Sequence, residues 1–255
     1  MTHAIATSGL VRKFGDFTAV DRLELNVETG SFFGFLGPNG AGKSTTIKML
    51  TGLLRISEGR ASVLGYDVER EPVEVKRRIG VLPEELALFD RLTAREYLEF
   101  VGRMYGMRKK VIGPRSDELL DLMDLGDARK KQVVDFSHGM KKKLALCSAL
   151  IHEPQLLFLD EPFEGIDAVA SRLIKDLLAS LVGAGVTIFL TSHILEIVEK
   201  LCDHIAIIHQ GRLVAQGSQE QLRHDVPGAG SLEELFLSLV ESDEPHRKPT
   251  LSWLG

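Results

Sequence analysis

The stretch Gly34–Thr46 reads GFLGPNGAGKSTT, and it is the part of the sequence that most strongly indicates the fold. A short apolar run, SFFGFLG, leads into the glycines, and KSTTIKMLTGLL follows them with Ile47, Leu50 and Leu54 at helical spacing. The local order is therefore a buried strand, a glycine loop and a helix. Residues 37–44 match G-x-x-x-x-G-K-[ST], the pattern of a loop that holds phosphates at a helix N-terminus.

The chemistry of a phosphate-binding loop explains these positions. Gly40 and Gly42 carry no Cβ, so successive backbone N–H groups can curl around an anion. Lys43 is predicted to reach the β- and γ-phosphates, Ser44 to ligate Mg²⁺, and Thr45 to bond the α-phosphate. A chance match with a structural lysine is the alternative, but the flanking strand and helix favour a nucleotide site. The predicted binding run is Gly37, Pro38, Asn39, Gly40, Ala41, Gly42, Lys43, Ser44 and Thr45.

Two adjacent acids end the apolar run QLLFLDEP. Hydrolysis of a nucleotide needs a carboxylate for the metal and a group that activates water. Asp160 is predicted to hold Mg²⁺, usually through water, and Glu161 to polarise the attacking water. An acidic junction that only caps the strand-to-loop turn is the alternative.

Composition bounds the class of protein. The chain has 255 residues, 44% of them hydrophobic and 26% charged, as in a globular protein. Its net charge of −5 argues against a large surface that binds nucleic acid, although a net charge does not exclude a local basic patch. We therefore expect no nucleic-acid partner. Cys147 and Cys202 are too few for a disulfide framework and are expected to be small buried thiols.

Targeting and membrane segments are not evident. The N-terminal MTHAIATSGLVRKFGDF has no uninterrupted apolar core, so no signal peptide is expected. No apolar run approaches the roughly 18 residues that would cross a bilayer. We therefore expect a cytoplasmic protein that needs a separate partner for any work across a membrane.

Further strands follow from apolar patterning. DRLELNV alternates, with Leu23, Leu25 and Val27 on one face, which predicts one half-buried strand. RIGVLP, QLLFLD, VTIFLTS and HIAIIH are short apolar runs. From residue 155 onward such runs alternate with helical stretches. The pattern predicts an α/β fold with a mainly parallel sheet covered by helices.

The stretch 91–135 is charged and helical in pattern. It is interrupted at IGPRSDE, where Gly113 and Pro114 are expected to end a helix. We predict a main domain over residues 1–217, with a helical subdomain at about 91–152 inserted into its core. Residues 218–255 are predicted to form a C-terminal helix, SLEELFLSLV, and a flexible tail. Trp253 in this tail either packs against another surface or belongs to a frayed terminus.

A helix is also predicted within DFSHGMKKKLALCSALIHEP. Its inward face carries Met140, Leu144, Cys147 and Ile151. The three lysines at 141–143 lie in its first turn, where the helix dipole favours acids. Either an anionic neighbour explains this arrangement or the lysines form a solvated basic face, and we expect the second.

These motifs together resemble the nucleotide-binding subunit of an ATP-binding-cassette (ABC) transporter, over nearly the whole chain to about Gly217. GPNGAGKST resembles Walker A, FSHGM the family signature, LLFLDEP Walker B with its catalytic glutamate, EGID the D-loop, and TSH the switch histidine. The resemblance implies a P-loop NTPase (RecA-like) core, an N-terminal antiparallel β-subdomain and an inserted α-helical subdomain, with ATP and Mg²⁺ as ligands.

The resemblance also implies roles that the spacing does not indicate. Family cassettes pair head to tail, so Ser137 and Gly139 are expected to face the γ-phosphate bound to the other copy. Asp167 is expected to link the two sites. His193 is expected to contact the γ-phosphate of its own site. Phe14, in VRKFGDF, is expected to stack on adenine, with a buried strand phenylalanine as the alternative.

Some positions depart from the family pattern. Glu84 stands after IGVLP where glutamine is common, and its carboxylate can accept from water or bind Mg²⁺, so it is a candidate catalytic and metal residue. A surface acid is the alternative at that position. His138 and Met140 replace the usual signature glycine and glutamine, and Phe163 stands where threonine is common. None of these changes removes a phosphate ligand or the catalytic acid.

The predicted function is an ATP-binding and ATP-hydrolysing subunit that powers a separate transmembrane permease. SHGMKKKL and SLEELFLSLV look most like the ATPases of drug, antibiotic or lipid exporters. Such a subunit would lie on the cytoplasmic face of the membrane and pair with a second cassette, identical or different.

Two other functions stay open. A soluble ATPase of the same type could act on nucleic acid or ribosomes, but the chain has one cassette and no long heptad segment. A small-molecule kinase or GTPase is the other alternative, although a guanine-reading N-K-x-D motif is absent and the signature would be unexplained.

Overall fold

The computed structural model describes residues 3–225 and 231–240, so the predicted tail and Trp253 lie outside the described residues. Its strands are β1 (His3–Phe14), β2 (Phe17–Leu23), β3 (Asn26–Glu28), β4 (Phe32–Leu36), β5 (Glu58–Val63), β6 (Tyr66–Asp67), β7 (Ile79–Leu82), β8 (Leu156–Asp160), β9 (Thr187–Ser192), β10 (His204–His209) and β11 (Arg212–Ser218). Its α-helices are α1 (Lys43–Leu50), α2 (Pro72–Arg78), α3 (Ala94–Met104), α4 (Lys109–Leu122), α5 (His138–Leu150), α6 (Ala168–Gly183), α7 (Leu195–Leu201), α8 (Gln219–Asp225) and α9 (Leu232–Val240).

The larger sheet has the strand order β11-β10-β4-β9-β8-β7. β10, β4, β9, β8 and β7 run parallel, and β11 is the antiparallel edge. The five parallel strands are the apolar runs that the sequence predicts, so the predicted α/β class is confirmed. Among the described residues, no helix is both long and apolar enough to span a bilayer.

The parallel strands are buried on both faces, as their continuous apolar runs require. Leu156 and Phe158 of β8 lie in one apolar cluster with α1 and the smaller sheet. Leu157 and Leu159 face the other way, into the cluster that α3, α5, α6 and α7 share. Three phenylalanines pack around Phe189 of β9 with ring centroids 5.3 to 5.7 Å apart; they are Phe33, Phe35 and Phe158.

The smaller sheet is antiparallel and pairs β2-β1-β5-β6, with β3 also on β1. DRLELNV does not form one strand as predicted, because it splits between β2 and β3, which pair with different parts of β1. Thr7 of β1 holds the chain at the break between β2 and β3. Its hydroxyl donates to the Leu23 carbonyl (2.7 Å) and accepts from the Leu25 amide (2.8 Å). Leu23, Leu25 and Val27 are nevertheless all fully buried, as the alternation predicts.

Between β7 and β8 the chain forms α3, α4 and α5, which pack on one another. The predicted helix break at Gly113 and Pro114 is wrong, because α4 runs through both residues. Proline costs a helix one backbone hydrogen bond, but burial can outweigh that loss. In α4, Ile112, Ser116 and Leu120 recur every fourth residue and are all buried, so one packed face holds the helix together.

Candidate functional site

Four parallel strands end at one edge of the larger sheet, and the segments that follow them meet there. The glycine loop follows β4, Glu84 follows β7, Asp160 and Glu161 end β8, and His193 follows β9. Together with the β1–β2 hairpin they line a cavity of about 510 Å³. Such an edge is where open α/β sheets bind ligands.

Most of the predicted nucleotide residues line this cavity. They are Phe14, Asn39, Gly40, Gly42, Lys43, Ser44, Thr45, Glu84, Asp160, Glu161 and His193. Phe17, Ala19 and Glu164 also line it and were not predicted from the sequence. Gly37, Pro38 and Ala41 belong to the same loop, whereas Ser137, Gly139 and Asp167 do not line the cavity.

The glycine loop has backbone geometry that side chains would prevent. Gly42 has φ of 108°, and a Cβ there would lie 2.6 Å from the Ala19 carbonyl oxygen. A Cβ at Gly37 would lie 2.4 Å from the Ile208 carbonyl oxygen. Gly42 is the N-cap of α1, and no side chain caps that helix. The first-turn backbone amides of α1 are therefore available to donate hydrogen bonds to an anion in the cavity.

The Lys43 ammonium is buried within the loop. Its Nζ donates to the carbonyls of Gly37 (2.7 Å) and Pro38 (3.2 Å). Burial lowers the pKa of Lys43, and the nearby carboxylates of Glu161, Asp160 and Glu84 oppose that shift. The Lys43 ammonium thus interacts with both the loop backbone and the acids of the cavity.

The two strand-end acids are both buried and are held by different partners. The Thr191 hydroxyl donates to Asp160 Oδ1 at 2.5 Å and accepts from the Glu161 amide at 3.1 Å. Glu161 Oε2 lies 2.9 Å from His193 Nδ1 and accepts from the His193 amide at 3.3 Å. The structure therefore brings together the predicted metal carboxylate, catalytic acid and switch histidine.

The hairpin that joins β1 and β2 supplies the aromatic end of the cavity. Phe14 is 46% exposed, so the alternative of a buried strand phenylalanine is wrong. The Arg12 guanidinium lies 4.3 Å from the Phe14 ring centroid. Phe17 is paired with Phe14 across the turn, and both line the cavity. The FGDF pattern is a hairpin signal that would have placed Phe17 here.

The signature residues and the D-loop residues 165–167 contact each other and do not line the cavity. Ser137 is the N-cap of α5, where its Oγ accepts from the Met140 amide at 3.3 Å. Asp167 is the N-cap of α6, and its bond from the Ala170 amide (2.8 Å) lowers the pKa of its carboxyl. The His138 ring lies so close to Gly165 that a Cβ there would be 2.9 Å from it.

The predicted solvated face at 141–143 is wrong. Lys142 is 1% exposed, while Lys141 and Lys143 are half-buried beside Asp90 (3.4 Å) and Asp124 (3.7 Å). Lys142 Nζ instead donates to the carbonyls of Glu161 and Glu164. The alternative weighed for these lysines, an anionic neighbour, fits Lys142 because acids of the cavity lie close to it.

Phe163 and the cysteines have structural roles. Phe163 is buried in the main core, with Lys175 Nζ 5.6 Å from its ring centroid. An apolar side chain therefore fits this position, which does not line the cavity. Cys147 and Cys202 are free and buried, as predicted, and burial raises the pKa of Cys147 to about 12.

The donor set suits Mg²⁺. That ion is commonly held in nucleotide sites by one or two carboxylates, waters and substrate phosphates rather than by a protein cage. Ser44, Asp160 and Glu84 line the cavity beside the phosphate loop. Within residues 3–225 and 231–240, no cluster of three His, Cys, Asp or Glu side chains forms such a cage.

Known proteins share this architecture. The family model for the ABC transporter matches residues 20–164. The daunorubicin resistance ATP-binding protein DrrA3 of Streptomyces coeruleorubidus is 41% identical over 225 residues, which are 88% of this chain and 71% of that protein. The daunorubicin/doxorubicin resistance ATP-binding protein DrrA of Streptomyces peucetius is 43% identical over 222 residues, covering 87% of this chain and 67% of that protein. A solved ATP-binding subunit of an ABC transporter has a TM-score of 0.87 at 32% identity and covers 93% of this chain and 99% of its own.

The chain therefore belongs to the ABC transporter family. Within that family it is an ATP-binding subunit and an ATP hydrolase. The predicted fold, with its P-loop core and antiparallel subdomain, is confirmed.

Replacing Thr191 with valine should destabilise the protein. Valine keeps the shape but removes the hydroxyl that bonds Asp160 and the Glu161 amide, and a buried group left without its partner costs about 1–3 kcal/mol. We expect urea denaturation to give a free energy of unfolding lower by about that amount. Thr191→Ser keeps the hydroxyl and is the matched control. A Thr191→Val protein as stable as the parent would mean that these hydrogen bonds contribute nothing.

Proposed function

We propose that this chain hydrolyses ATP in the cavity described above and thereby drives a permease that exports a drug, an antibiotic or a lipid. One observation carries the proposal: the buried carboxylate of Glu161 lies in the same cavity as the uncapped amides of α1 and the Lys43 ammonium. An acid, a cation and free donors around one anion site are the requirements of phosphoryl transfer to water.

The residue roles follow from their places in the cavity. Residues 37–45 bind the triphosphate through backbone amides and Lys43, and Phe14 stacks on adenine beside Phe17. Ser44, Asp160 and Glu84 hold Mg²⁺, which neutralises charge on the phosphates when bound. Glu161 orients and polarises the attacking water.

His193 and Glu161 act as a pair. In the described structure Glu161 Oε2 lies 2.9 Å from His193 Nδ1, so the ring restrains the carboxylate. His193 is half-exposed and lines the same cavity as the phosphate loop. We propose that His193 exchanges its contact with Glu161 for one with the γ-phosphate when ATP binds. Glu84, which is exposed and lines the same cavity, supports the metal or the water.

We further propose that two cassettes form each complete site. Ser137, Gly139 and Asp167 lie outside the cavity of their own chain, and Ser137 and Asp167 are exposed. Exposed caps at the start of α5 and α6 suit a surface that meets the nucleotide of another copy. The second cassette is an identical chain or a related one.

The export function and location rest on the relatives. DrrA3 is named for daunorubicin resistance and DrrA for daunorubicin/doxorubicin resistance, which favours an exporter of such compounds. The permease would span the membrane, and this chain would lie on its cytoplasmic face, where ATP is available. The proposed units are an ATPase domain at 1–217 with a helical subdomain at about 91–152, and a C-terminal region at 218–255. The mutual packing of α3, α4 and α5 supports that subdomain.

Glu161→Gln tests the catalytic role. The substitution keeps the shape of the side chain and removes its charge. General-base catalysis is typically worth about 10²–10⁴-fold, so steady-state phosphate release should fall by roughly that factor. Binding of ATP and Mg²⁺, followed by fluorescence titration, should persist because their ligands remain.

The neighbouring Glu164→Gln is the matched control, since its side chain is exposed and lines the cavity without a proposed catalytic role. Its turnover should stay within a few-fold of the parent. Parental turnover in Glu161→Gln would remove Glu161 from the mechanism and leave Glu84 or His193 as the group that positions water.

Ser137→Arg tests the composite site. The new side chain would place bulk and charge where the other copy's γ-phosphate is proposed to lie. ATP binding to each monomer should be unchanged, whereas ATP hydrolysis should fail. Ser238→Arg, on the exposed face of α9, is the control for adding an arginine. Normal hydrolysis by Ser137→Arg would count against a site shared between two cassettes.

A further inference from the structure

Lys142 is a buried cation that the proposed mechanism does not use. It is the fifth residue of α5, two residues after the signature segment 136–140, and is 1% exposed. It does not line the nucleotide cavity. A lysine is almost never fully buried unless it is paired, so its partners indicate what it does.

Its partners are two backbone carbonyls of one turn. Nζ donates to the carbonyl oxygen of Glu161 at 2.7 Å and to that of Glu164 at 2.7 Å. The same Glu161 carbonyl also accepts from the Glu164 amide at 3.3 Å. One ammonium therefore closes the turn 161–164 from outside it, with charge-assisted bonds that are stronger than neutral ones.

The backbone of Glu161 needs such support. Its φ is +50°, a left-handed conformation that is unfavourable for a residue other than glycine. Strained residues persist where their surroundings hold them in place. The Thr191 hydroxyl holds the amide of Glu161 at 3.1 Å, and Lys142 holds its carbonyl. The two bonds fix the peptide groups on both sides of the Cα that carries the carboxylate.

The turn also continues into the D-loop. Beyond Glu164 the chain passes through Gly165 and Ile166, which pack against His138 and Gly139 of the signature. Lys142 stands on the same helix as those signature residues. A displacement of α5 would therefore act on the Glu161 backbone through Lys142, besides its contacts with Gly165 and Ile166.

We propose that Lys142 is a positioning residue that holds Glu161 in the orientation required for hydrolysis and links it to the signature segment of the same chain. This inference rests on the proposed role of Glu161. It assigns the signature helix a second task, besides facing the nucleotide of the other cassette: it sets the geometry of the catalytic acid in its own site.

Lys142→Met tests the inference, because methionine fills similar space and cannot donate. A misplacement of about 1 Å in an active site can cost 10²-fold, so kcat for ATP hydrolysis should fall roughly 10–100-fold. KM for ATP should stay within about twofold, because no ATP ligand is changed. Lys142→Arg, whose guanidinium can donate to both carbonyls, should recover most of kcat. Lys141→Met, the half-buried neighbour, should behave as the parent.

A double-mutant cycle separates positioning from general support of the fold. If Lys142 acts through Glu161, adding Lys142→Met to Glu161→Gln should lower kcat by less than about threefold, because the carboxylate that it positions is already lost. A full 10–100-fold further loss in the double variant would overturn the inference. Parental kcat in Lys142→Met would also overturn it, whatever Glu161→Gln does.

Failure of the proposed function gives a different result, namely parental turnover in Glu161→Gln alone. If Lys142→Met does not fold, as judged by its thermal unfolding, Lys142→Leu takes its place, since leucine is an apolar helix former that also cannot donate. The same two criteria, kcat of the single variant and non-additivity with Glu161→Gln, then decide.

Discussion

The site depends on one constraint, the parallel alignment of β7, β8, β9 and β4. Parallel strands end at the same edge, and neighbours lie about 4.8 Å apart. The order β4-β9-β8-β7 therefore places the glycine loop beside His193, His193 beside Asp160 and Glu161, and those acids beside Glu84. No single loop could bring these groups together, because they are separated by long stretches of chain. The sheet therefore brings these groups together, and the N-terminus of α1 faces the same cavity.

This arrangement buries charged side chains, and their burial determines which partners they need. Lys43, Lys142, Asp160 and Glu161 are each no more than 7% exposed. Charged groups removed from water must be paired or hydrogen-bonded, and each of these is. Carbonyls hold both ammoniums, and Thr191 and His193 hold the acids. Such a network is pre-organised, which suits electrostatic stabilisation of the proposed phosphoryl transfer.

Much of the fold and of the nucleotide site follows from local patterns. The apolar runs placed all five parallel strands, and motif spacing placed the phosphate loop and both acids. Interactions between distant segments could not be predicted in this way. Lys142 sits in a run of three lysines whose members look alike, and only the packing of α5 against the turn at 161–164 buries the middle one. Pro114 appeared to break a helix, but a packed face holds α4 together. Phe17 is the exception, since the local hairpin pattern in FGDF is enough to predict its place beside Phe14.

The proposed hydrolysis requires a triphosphate in the loop at 37–45 with its γ-phosphate next to Glu161. A crystal structure of the protein with Mg²⁺ and an ATP analogue that cannot be cleaved tests it directly. We predict that the β- and γ-phosphates contact the first-turn amides of α1 and Lys43 Nζ, that adenine lies on Phe14, and that the Glu161 carboxylate faces the γ-phosphate. Nucleotide bound elsewhere, or a γ-phosphate directed away from Glu161, would contradict the account.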